Sequence, residues 1–120
     1  MTLELRCDAI EECYEFMLAY AAQGLSTEGG QIRDFLQKAV TALSGIDEVC
    51  IAERVTRDFT GVVDRDAASS LAAMELVLAQ PVISSQLIDN LNASIHLRAL
   101  LTDLFLIDEI LKLRRASPDS

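Results

Sequence analysis

The stretch Leu97–Ile107 restricts this chain more than any other feature. Leu97, Ala99, Leu100, Leu101, Leu104, Phe105, Leu106 and Ile107 leave only Arg98, Thr102 and Asp103 to face water. A helix that is apolar nearly all round has to be covered on most sides. In a chain of 120 residues that means the centre of a bundle or a seam between copies. The run cannot cross a bilayer, because no stretch reaches the ~18 uncharged apolar residues a span requires.

The rest of the chain is written in helical periods. Leu3, Cys7, Ile10, Tyr14, Met17, Leu18 and Ala21 recur at helical spacing, so the pattern predicts a helix over 3–23 that Gly24 stops. The stretch 25–30 reads as a loop. Ile32, Phe35, Leu36, Ala39 and Leu43 predict a second helix over 31–44, closed by Ser44-Gly45. Residues 46–63 fit two periods. Val49, Ala52, Thr56, Phe59 and Val63 suit a helix, while Val49, Ile51 and Val55 suit a hairpin strand. The helix is preferred because a lone two-stranded hairpin is marginal. Asp64-Arg65-Asp66 reads as a turn before a helix over 67–79. Pro81 then precedes a last, longest helix, capped by Ser84 or Ser85 and running to about Arg115. The expectation is an all-α, single-domain bundle of four to five helices over 1–116, up-down in topology, with a disordered tail at 117–120.

Charge excludes some functions. With 19 acids against 10 bases, a net charge of -9, the surface is unsuited to nucleic acid. Cys7, Cys13 and Cys50 are odd in number and form no CxxC, which points to reduced thiols in a cytoplasmic protein rather than a disulfide framework. The acidic start lacks the basic opening of a signal peptide. No phosphate-binding loop, dinucleotide fingerprint or nucleophile elbow occurs, so neither an enzyme nor a cofactor is expected.

Two sets of residues on the last helix are candidates for function. The first is a polar stripe, Asp89, Asn92, His96 and Asp103, spaced to point in broadly one direction. Carboxylates flanking an imidazole can orient it as a base or ligand. One histidine without a Glu-x-x-His pair is too little for a metal bundle. Small acidic bundles with one histidine also include phosphotransfer domains, but their cation three residues after the histidine is Ala99 here, and Arg98 points to another face. The second set is a homodimer seam formed by Leu97, Leu100, Leu101, Leu104 and Phe105. A third feature is the acidic face of the first helix, Glu4, Asp8, Glu11, Glu12 and Glu15, which would meet a partner with a basic or amphipathic surface. The expected function is association without catalysis, of adaptor, assembly-factor or chaperone type. The alternative is a small ligand-binding or phosphotransfer bundle built around His96.

Overall fold

The computed structural model describes residues 1–24, 26–27 and 30–116. The tail expected at 117–120 and part of the loop expected at 25–30 lie outside the described residues. The described part contains α1 (Leu3–Gln23), α2 (Gly30–Leu43), α3 (Ile46–Ala52), α4 (Arg57–Leu78), α5 (Ser85–Ala93) and α6 (Ile95–Ala116). Two short segments, β1 (Ser26–Thr27) and β2 (Ile83–Ser84), pair antiparallel and tie two connections together.

The chain is all-α, as the periods predict. The long helices α1, α2 and α4 and the α5–α6 pair form a bundle about 51 Å long and 24 × 23 Å across. Neighbours run antiparallel. Phe16 of α1 stacks on Phe35 of α2 with centroids 4.3 Å apart, while Arg6 reaches the far end of α2. Each helix presents a row stepping by three or four residues. On α4 it is Thr60, Val63, Ala67, Ser70, Met74 and Val77; on α6 it is Leu97, Leu101, Leu104, Ile107 and Leu111. That spacing seats side chains between those of a nearly antiparallel neighbour.

Local chemistry sets most helix ends. Thr2, Thr56 and Ser84 accept hydrogen bonds from the backbone N–H groups of Leu5, Phe59 and Leu87, each satisfying a donor of the first turn. Gly24 and Gly45 sit at φ +68° and +71°, a left-handed conformation that glycine adopts without steric cost.

Two breaks differ from the sequence expectation. Asp64-Arg65-Asp66 is no turn: α4 runs straight through it, with Asp64 and Arg65 on the solvent side. The interruption comes earlier, at 53–56, where Arg54 takes φ +61° and Val55 N–H bonds back to the Cys50 carbonyl. The helix expected over 46–63 is therefore two helices. The last helix is also two. Ser94 is extended (φ -57°, ψ 130°), which directs α5 against α1 and α6 against α4.

Arginines complete helix ends that their own sequences leave open. Helices end in unpaired carbonyls at the negative end of the dipole, and α1 to α5 carry no base in their last turns. Arg6 donates to the carbonyls of Ala42 and Ser44 beyond α2; Arg33 donates to those of Leu78 and Gln80 beyond α4; Arg114 donates to those of Glu53 and Arg54 beyond α3. Truncating Arg6 to Ala is expected to lower unfolding stability by about 1–3 kcal/mol, with Arg6→Lys recovering part of the loss. Urea denaturation of the two variants measures this.

Candidate functional site

A concavity lies at the far end of α6. There the turn 54–56 and the first turn of α4 lean against the last turns of α6 and enclose a pocket of about 280 Å³. Val55, Phe59, Leu106, Ile107, Ile110 and Leu111 form its walls, and Arg54 and Arg114 stand at its edge. The sequence builds it simply. Val55 and Phe59 straddle the Thr56 cap, so both face α6 as α4 begins. Leu106 and Ile110 lie one turn apart, beside the buried Ile107 and Leu111.

The pocket's electrostatics are unlike those of the chain as a whole. No acidic side chain lines it, although the protein carries -9. The Arg114 guanidinium is held by two backbone carbonyls. Arg54 is exposed and makes no ion pair or hydrogen bond through its side chain among the described residues. None of these residues was expected to form a site: Val55 and Phe59 entered the sequence reading only as members of the two periods over 46–63. Nothing local marks an arginine as left-handed, and Ile110 lies off the core period.

The polar stripe expected around His96 is divided by the break at Ser94. Asp89 and Asn92 are on α5, while His96 and Asp103 are on α6. Asp89 and His96 face solvent, whereas Asn92 and Asp103 are buried. Asp103 was expected to face water; it turns inward because it lies off the outer face and toward α4, where it meets Asp66. Its carboxyl is pushed up to about 7 by burial, then by a hydrogen bond with Asp66 and by that group's charge. Several buried polar atoms have no hydrogen-bond partner among the described residues: Thr60 Oγ1, Ser70 Oγ, both side-chain atoms of Asn92, and Asp103 Oδ2. No three His, Cys, Asp or Glu side chains among the described residues are grouped to hold a metal ion.

The seam expected from Leu97, Leu100, Leu101, Leu104 and Phe105 is corrected in the same way. The first four are buried in this chain's own core, and Phe105 alone faces out, half exposed. They point inward because α6 rests on α4 along that row. The outer face of α6 carries different apolar groups: Ile95, Leu106, Ile110 and Leu113.

The three thiols are buried in the core. Burial pushes Cys7 and Cys13 up to about 12 and Cys50 to about 11, with Asp108 adding to the rise at Cys7 and Asp47 at Cys50. A protonated, covered thiol is a poor nucleophile. The acidic face of α1 is partly engaged with α6: Glu4 pairs with Arg115, and Glu11 is raised by burial and by facing Asp108, which Lys112 holds at 2.9 Å. No helix among the described residues is long and apolar enough to cross a membrane. No family model, curated protein or solved structure matches this chain.

Proposed function

We propose that this protein works by association, as a homodimer joined along the outer face of α6, without chemistry of its own. The observation that supports this most is the spacing of that face. Ile95, Ala99, Thr102, Leu106, Glu109 and Leu113 follow steps of four and three residues. This is a second heptad row, on the side opposite the core row, and it runs over almost three heptads. Ile95, Leu106 and Leu113 are each more than half exposed, with Phe105 and Ile110 flanking them. A 3.5-residue period is what a second helix needs in order to stay in contact.

The row is self-complementary when reversed. An antiparallel pairing about a two-fold axis sets Ile95 opposite Leu113, Ala99 opposite Glu109 and Thr102 opposite Leu106 of the second copy. Glu109 then lies beside Arg98 of the second copy, and the symmetry repeats the pair. Arg98 makes no ion pair within its own chain among the described residues. The polar Thr102 and Glu109 fix the register, the role polar residues often play in such seams.

Light scattering across a concentration series tests the arrangement. The wild type is expected to be a dimer, Leu106→Asp a folded monomer, and Arg98→Glu a weakened dimer. Combining Arg98→Glu with Glu109→Arg is expected to restore the dimer. A wild type that stays monomeric at high concentration, or a charge swap that restores nothing, refutes the pairing.

A further inference from the structure

We propose that the pocket between the 54–56 turn and α6 binds a small aliphatic carboxylate, its tail against Val55, Phe59, Leu106 and Ile110 and its carboxylate at Arg54. Three observations converge on this. The cavity of about 280 Å³ is just below the roughly 300 Å³ at which pockets for drug-sized ligands begin. It therefore suits a single aliphatic tail. Its wall is apolar, which rewards burial of methylene groups. Its charged edge consists of two arginines with no lining acid, so the complementary head group is an anion, and a guanidinium pairs well with a carboxylate.

The position of Arg54 on the pocket edge adds to this. Its φ of +61° belongs to the ordinary ending of α3, where Val55 N–H bonds back to the Cys50 carbonyl. Its side chain has no partner among the described residues. The Arg114 bonds to the carbonyls of Glu53 and Arg54 hold the turn against α6. That leaves the Arg54 guanidinium at the pocket edge with its bonding capacity unused. The pocket lies to one side of the outer row of α6 but shares Leu106 and Ile110 with that surface, so a second copy seated along that row would cover part of its wall.

The test is titration calorimetry of the full chain with sodium decanoate, below its micelle concentration, against 1-decanol as the uncharged probe. Arg54→Gly removes the guanidinium and puts glycine at a left-handed helix end. It is expected to raise the melting temperature by about 2–5 °C and to weaken decanoate binding by about tenfold or more, leaving decanol binding unchanged. Arg57→Ala, which removes an equal charge from an exposed residue that does not line the pocket, is expected to leave decanoate binding as it was. The proposal is overturned if the wild type does not bind decanoate. It is equally overturned if decanol binds as tightly as decanoate, or if Arg57→Ala loses as much affinity as Arg54→Gly.

Discussion

Leu104→Ala is expected to remove about 3–4 kcal/mol of unfolding stability, whereas Phe105→Ala, one residue along, costs less than about 1 kcal/mol. Leu104 is fully buried between α6 and the rest of the bundle, and Phe105 is half exposed. Truncating the leucine both loses its transfer from water and leaves a cavity that packed helices close only in part. Against a total of about 5–15 kcal/mol for a domain, the loss at Leu104 is severe. Chemical denaturation at fixed protein concentration measures both variants. Equal losses at the two positions would mean that α6 is rotated about its axis from the orientation described above.

Asp103→Asn is expected to stabilise the protein at pH 8 by on the order of 2 kcal/mol, and to do little at pH 4. The sign follows from the proton balance. Asp103 is pushed up to about 7 by burial, by its hydrogen bond with Asp66 and by that group's charge, whereas the unfolded chain titrates it in the ordinary carboxylate range. Between those values the folded state binds more protons than the unfolded one. The wild type therefore loses stability as pH rises from about 4 to about 7, and carries the full penalty above that. Asparagine has no proton to lose, and its amide can still donate to Asp66. Asp66 is only partly buried, so solvent around it screens part of the penalty. Urea midpoints from pH 4 to pH 8 decide the matter. A wild-type and variant difference that does not widen with pH would show that Asp103 ionises inside the bundle without cost.

The contrast between these neighbours shows how much could be read in advance. The apolar density of 97–107 was plain in the sequence, and it announced a buried helix. Which side of it is buried was not plain, because a helix apolar nearly all round has no polar face to orient it. Leu97, Leu100, Leu101 and Leu104 belong to the core and Ile95, Leu106 and Leu113 to the exterior only because α4 and α1 occupy one side. Asp103 was misplaced for the same reason. In α4 the inward row includes Thr60, Ala67 and Ser70, residues too small or polar to register as a hydrophobic period. The acids at 64 and 66 then imitated a turn.

What the sequence alone determined is local. It set the helical class through its apolar periods, the stops at Gly24 and Gly45 through left-handed glycine, and the starts at Thr2 and Ser84 through hydroxyl caps. These depend on a few adjacent residues and their preferred dihedrals. Tertiary structure decided the rest: the break at Ser94, the arginines reaching distant helix ends, and the pocket they border. Each arises where residues far apart in the chain compete for one space or one unpaired carbonyl, and that competition has no period along the sequence.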